Sequence, residues 1–222
     1  MILEHERPWR PLTVAAVAAL FREAAFPWWV AGGHAIEMAV GHPVRSHGDI
    51  DVLLLRRDHL AARALLAIWD CWVADPPGSL RPWPVGETLP PSTHDVWCRE
   101  APGGLWRLQL MLDESRGDQW HSRWDARISL PITAIGARTE AGVPYLRPEI
   151  QLFNKARALR PRDEADLAAA LPCLTVDQRH WLRWALVTVY GGDHPWLIQL
   201  GTDPAKSGSD DRDRRAVRSV RS

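Results

Sequence analysis

Two aspartates separated by one residue, Asp49 and Asp51, open the aliphatic run Ile50 to Leu55. On a strand, residues i and i+2 share a face, so both carboxylates project together while Ile50 points into the core. Such carboxylates repel each other unless a cation lies between them. Magnesium, which takes hard oxygen ligands and pairs with substrate phosphates, suits them. Upstream stands Gly32-Gly33, with fifteen residues between Gly33 and Asp49. Two glycines between a strand and a helix let backbone N–H groups and the helix N-terminus approach a phosphate closely. Arg45 and His47 lie in the intervening loop, where either can contact phosphate or simply close the turn. A bare Asp-x-Asp is common at solvated strand ends, and Gly-Gly is usually a turn. Their combination in this order is far more specific.

The elements that must position these groups follow from periodicity and punctuation. Thr13 can cap a helix through Phe21, which should stop before Pro27. Trp28 to Ala31 reads as a short buried strand and His34 to Val40 as a helix ended by Gly41 and Pro43. Ile50 to Leu55 is a strand, Asp58 to Trp69 a helix, and Cys71 to Ala74 a further strand. Residues 75–93 are rich in Pro and Gly and read as a loop with little regular structure, long enough for a lid or a binding role. His94 to Glu100 and Leu105 to Leu112 read as a hairpin through Pro102-Gly103-Gly104. Helices are expected from Pro148 to Ala158, Arg162 to Leu171 and Val176 to Tyr190. The division is then an α/β part over 1–147, a helical part over 148–202 and a disordered tail over 203–222.

The series Gly32-Gly33-His34-Ala35-Ile36 and Arg45-Ser46-His47-Gly48-Asp49-Ile50-Asp51-Val52 resembles the nucleotidyltransferase superfamily typified by DNA polymerase beta. It is most similar there to the aminoglycoside 2''-adenylyltransferase and lincosamide nucleotidyltransferase group. A second block supports the resemblance: Pro148, Glu149, Leu152, Phe153, Lys155 and Ala156, then Arg160-Pro161-Arg162-Asp163-Glu164-Ala165-Asp166. The resemblance implies an α/β (α+β) fold, with a mixed sheet flanked by helices and a helical carboxy-terminal part. It implies Mg²⁺ on Asp49 and Asp51, ATP or another nucleoside triphosphate as donor, and in-line attack by a small-molecule hydroxyl. Gly32 and Gly33 would hold phosphates, with Arg45 and His47 beside them. Lys155 would reach toward the triphosphate as a compact charge.

The superfamily generally carries a third acid on a later strand. The corresponding position here is Gln109, and a neutral amide is no base. Asp113 lies on the same strand face but roughly 13 Å further along a straight strand. Either Asp113 substitutes, the register bends, or activity is weakened; Asp95 is a further candidate. Arg99, four residues after Asp95, could pair with it or approach the nucleotide. Trp83, Trp97, Trp106 and Trp120 surround the cleft in sequence and could stack on a base or a sugar. Asp163 and Asp166 read as structural, with Asp163 placed against a helix dipole.

Composition bounds the reading. The 222 residues, 46% hydrophobic and 24% charged, are enough to bury a substantial core. Net charge is zero, which argues against nucleic acid or an anionic membrane as partner. Of 27 basic residues only Lys155 and Lys206 are lysine, which singles out Lys155. Three dispersed cysteines and the lack of a leader-like segment point to the cytoplasm. The expected activity is transfer of a nucleotidyl group, from ATP, to a hydroxyl of an aminoglycoside- or lincosamide-like antibiotic. The alternatives are a catalytically weakened nucleotide- or partner-binding domain, motivated by Gln109, and a protein-modifying transferase of the toxin or antitoxin kind. The acceptor and the oligomeric state are not written in the sequence.

Overall fold

A computed structural model describes residues 4–76 and 79–201. Lys206 and the expected tail therefore lie outside the described residues.

Thr13 caps α1 (Val14–Leu20), its Oγ1 accepting from the Ala16 amide at 3.1 Å. β1 (Trp28–Ala31) runs into α2 (Gly32–Val40), which begins on the glycine pair and ends at Gly41 in left-handed conformation. β2 (Asp51–Leu55) follows, and α3 (His59–Leu65) is shorter than the sequence suggests. Next come β3 (Asp70–Ala74), β4 (Leu80–Pro82), β5 (Asp95–Arg99) and β6 (Leu108–Arg116). The 75–93 stretch is thus not wholly irregular. β4 pairs antiparallel with β3 from Trp72–Pro82 to Ala74–Leu80, and its Pro82 is tolerated at a sheet edge.

Short strands β7 (Gln119–His121), β8 (Ser129–Pro131), β9 (Gly136–Arg138) and β10 (Pro144–Leu146) lead to the helices. These are α4 (Pro148–Lys155), α5 (Pro161–Ala170), α6 (Val176–Tyr190) and α7 (Trp196–Gln199). Proline opens α4 and α5, where its missing N–H costs nothing. Thr175 and Gln178 form a reciprocal capping box on α6.

The sheet runs β4-β3-β5-β6-β2-β1-β10-β9, with β7 and β8 extending from β6. β2 pairs parallel with β6 and β1 parallel with β10, while the other pairings are antiparallel. Strand alternation sorts the core into two layers. Val52 and Leu54 pack with Val17, Phe21, Ala62 and Leu66 beneath α1 and α3. Leu53 and Leu55 pack with Ile36, Phe153, Leu167 and Leu186 beneath α2 and α4–α6. Asp51 shares the phase of Leu53 and Leu55, so its carboxylate belongs to the face that the later helices cover.

Among the described residues, no helix is long and apolar enough to cross a membrane.

Candidate active site

The junction of β1 and α2 meets the head of β2 because Ala31 pairs with Asp51 in antiparallel register. Gly32 has φ +66, and a Cβ there would overlap Oδ2 of Asp51. A Cβ on Gly33 would overlap the His47 ring and the Arg45 guanidinium. Both glycines are therefore required by close approach, and Gly32 also by backbone conformation. The Gly32 amide is not free for a phosphate, contrary to the expectation, because it donates to Gln151 Oε1 of α4 at 2.8 Å. Gln151 carries no signal in the sequence beyond its place one turn before Lys155.

Asp51 is partly withdrawn from water and stands close to Asp49, and these two causes push its carboxyl up to about 7. Asp95 adds to the push, while Lys155 and Arg123 oppose it. Among the described residues, neither Asp49 nor Asp51 accepts a hydrogen bond. Two unpaired hard-oxygen donors that penalise each other's charge fit a divalent cation, so the donor set suits magnesium.

Gln109 pairs directly with Asp51 across β2 and β6, as the sequence places it. It donates Nε2 to Asp95 Oδ1 at 3.0 Å. Asp95 pairs with Met111 on the same side of the sheet, and Arg123 Nη1 reaches it at 3.5 Å. The structure does not bring Asp113 to this group. Asp113 lies opposite Leu55, four residues down the strand, and is 1% exposed. Its Oδ1 accepts from Arg123 Nε at 2.7 Å and its Oδ2 from Trp120 Nε1 at 2.8 Å. Both oxygens are occupied, so Asp113 orients Arg123 instead of meeting a substrate. Arg123 carries no sequence signal, since the 121–128 turn alone delivers it.

The opposite wall is cationic. Lys155 is buried, its Nζ 2.8 Å from Asp166 Oδ2 and 3.6 Å from Asp163 Oδ1. Arg45 binds Asp166 through Nε at 2.9 Å and Nη2 at 3.0 Å. Arg160 binds Asp163 through Nε at 2.7 Å and Nη2 at 3.1 Å. The two aspartates are 0% exposed and hold three cations in place. The Asp163 carboxyl lies below its ordinary range: burial would raise it, but Arg160 and Lys155 overcome that. The charge of Asp49 reaches both Arg45 and Arg160, which places this wall beside the carboxylate pair. Asp163 and Asp166 are structural as expected, though as anchors for cations more than as dipole partners.

Beneath Arg45, Glu37 Oε1 accepts from the Val44 and Arg45 amides at 2.7 and 3.2 Å and closes the loop. His47 and His34 stack with ring centroids 4.1 Å apart. Burial and the neighbouring His47 hold the His34 imidazole below its ordinary range.

Other expectations are corrected. Arg99 does not pair with Asp95; it is buried over Trp106 and binds Asp70 at 2.7 Å and Glu4 at 2.6 Å. Trp83, Trp106 and Trp120 are buried in the interior and present no stacking surface. A groove of about 1020 Å³ between α1 and the β9–β10 turn includes none of the site residues.

A family model described as aminoglycoside-2''-adenylyltransferase matches residues 13–71. No curated protein matches the chain in sequence. The structure resembles the crystal structure of ANT(2'')-Ia in complex with adenylyl-2''-tobramycin, at TM-score 0.52 and 16% identity, covering 79% of this chain and 97% of that one. It also resembles the lincomycin-bound lincosamide antibiotic adenylyltransferase LnuA, at TM-score 0.50 and 14% identity, covering 72% and 97%. The solution structure of ANT(2'')-Ia, an antibiotic-resistance factor, gives 0.50 and 15%, covering 80% and 90%. The chain has the nucleotidyltransferase fold and resembles the aminoglycoside 2''-adenylyltransferase and lincosamide nucleotidyltransferase group.

Proposed function

We propose that this chain transfers an adenylyl group from ATP to a hydroxyl of a small molecule, in the manner of aminoglycoside- and lincosamide-modifying enzymes. The observation that carries the reading is the confrontation of two unpaired carboxylates, Asp49 and Asp51, with three buried-anchored cations. That arrangement suits a metal-bound triphosphate. Mg²⁺ held by Asp49 and Asp51 would supply neutralisation of phosphate charge. Lys155, Arg45 and Arg160 bind the phosphate chain and stabilise charge on the departing pyrophosphate. Their pairing with Asp163 and Asp166 fixes them before substrate arrives, so little reorganisation is needed. Asp95 accepts the hydroxyl proton as oxygen attacks the α-phosphorus and the bond to pyrophosphate breaks. Gln109 and Arg123 orient the Asp95 carboxylate for this, which makes Asp95 the third acid on a neighbouring strand.

Gln109 beside Asp51 favours a second reading, a nucleotide-binding domain without turnover. Calorimetry with ATP and Mg²⁺ and pyrophosphate release over a panel of aminoglycosides and lincosamides separate the two. Release with an acceptor, lost on Asp51→Asn, supports transfer. Binding without release from any acceptor supports the second reading, and no binding contradicts both.

A further inference from the structure

His34, Glu37 and His47 lie together beside Gly33, whereas Asp51 faces Gly32, and the nucleotide reading gives the first two no task. His34 and Glu37 are one turn apart on α2, while His47 returns from the loop. One donor atom from each of the three lies within 4.8 Å of the other two. His47 is 7% exposed, and its Nε2 stands 2.8 Å from Glu37 Oε1. That contact is not a hydrogen bond in geometry, so Nε2 is buried without a hydrogen-bond partner. Glu37 Oε1 also accepts two backbone amides. The other oxygen, Oε2, faces His34 Nδ1 at 3.9 Å.

We propose that His34 Nδ1, Glu37 Oε2 and His47 Nε2 form a site for a divalent transition metal of the zinc class, separate from the Asp49–Asp51 pair. Two imidazoles and one carboxylate are donors that zinc takes readily and magnesium does not. Around a tetrahedral zinc with ligands at about 2.0–2.1 Å, donor atoms stand roughly 3.3 Å apart. His34 Nδ1 and Glu37 Oε2 stand 3.9 Å apart, a little beyond that spacing, and one donor atom of each of the three residues lies within 4.8 Å of the other two. The Val44 and Arg45 amides fix the Glu37 carboxylate from behind, as outer partners of metal ligands do. The Arg45 guanidinium nearby makes its two bonds to Asp166, and Glu37 supplies the anionic carboxylate that attracts a cation. A bound ion would tie loop 41–50 to α2 and leave a fourth position open.

The test uses the full chain carrying Asp49→Asn and Asp51→Asn, stripped with chelator, so that the carboxylate pair holds no metal. Zn²⁺ uptake is read by competition with a chromophoric chelator, and Co²⁺ by its visible bands. One equivalent with low-coordinate Co²⁺ bands, displaced by Zn²⁺ and weakened at least tenfold by His34→Ala or Glu37→Gln, is expected. The site is refuted if the doubly substituted chain takes up no Zn²⁺ at micromolar free metal, a result independent of how the further variants fold. Uptake that His34→Ala leaves unchanged in a folded chain equally overturns it. The nucleotide reading is untouched by either result, since ATP and Mg²⁺ play no part in the assay.

Discussion

Asp95 carries the largest consequence at the residue scale. Its neighbour Gln109 occupies the position where an acid is expected beside Asp51, and it turns its amide toward Asp95. Asp95→Asn keeps shape and loses proton acceptance. The turnover rate should fall by about 10²–10⁴ while ATP affinity stays within about threefold; an unchanged rate would remove Asp95 from the mechanism. Gly32 has no substitute of any kind, with φ +66 and Asp51 against its Cα. Gly32→Ala should cost about 1–3 kcal/mol in urea unfolding and displace the Asp51 carboxylate, so that metal affinity and turnover fall together. These residues were legible to different degrees. Asp49, Asp51 and the glycine pair stood out because i, i+2 spacing and a strand–helix break are local facts. Asp113 misled because strand phase alone cannot show that Trp120 and Arg123 fill both its oxygens. Gln151 and Arg123 were invisible because each reaches the site through tertiary contacts.

Among the elements, α5 anchors the cationic wall. Asp166 joins three pieces of chain: its own helix, Lys155 of α4 and Arg45 of the 41–50 loop. Asp166→Asn leaves two cations short of a partner beside each other, one of them buried. Removing one partner of such a buried pair costs about 3–5 kcal/mol, measurable as a lowered urea midpoint. A wild-type midpoint would show that the three pieces are held by apolar packing alone. Glu149 of α4 is 4% exposed, and removal from water raises its carboxyl above the ordinary value of 4.5 despite Arg147 and Gln178. A raised carboxyl contributes stability that is complete below pH 4.5 and is lost as pH rises through the folded-state value. Glu149→Gln should therefore gain on the wild type between pH 5 and pH 8 in paired urea melts. A variant that falls behind over that range would make the Arg147 ion pair dominant. The elements themselves were well marked wherever capping chemistry was strong: Thr13, Thr175 and the prolines of α4 and α5 fall where the helices begin. β4 has no sequence signature, because three residues including Pro82 make no periodic pattern and only pairing with β3 defines them.

Over the whole molecule, the near-balance of charge conceals its arrangement. Arg45, Lys155 and Arg160 are set against two buried aspartates, so a chain of zero net charge still gathers three cations in one place. The sheet supplies rigidity on both faces: α1 and α3 seal one, while α4–α6 close over the other and bring Lys155 above Asp51. Lys155 is a buried bridge between two aspartates. The central claim, adenylyl transfer dependent on the strand-head carboxylates, is tested most directly by pyrophosphate release from ATP and Mg²⁺ with a panel of aminoglycosides and lincosamides, comparing the wild type with Asp51→Asn. Acceptor-dependent release that falls more than about a hundredfold in the variant is the predicted result. Equal release by both chains, or none from the wild type with any hydroxyl acceptor, would contradict it.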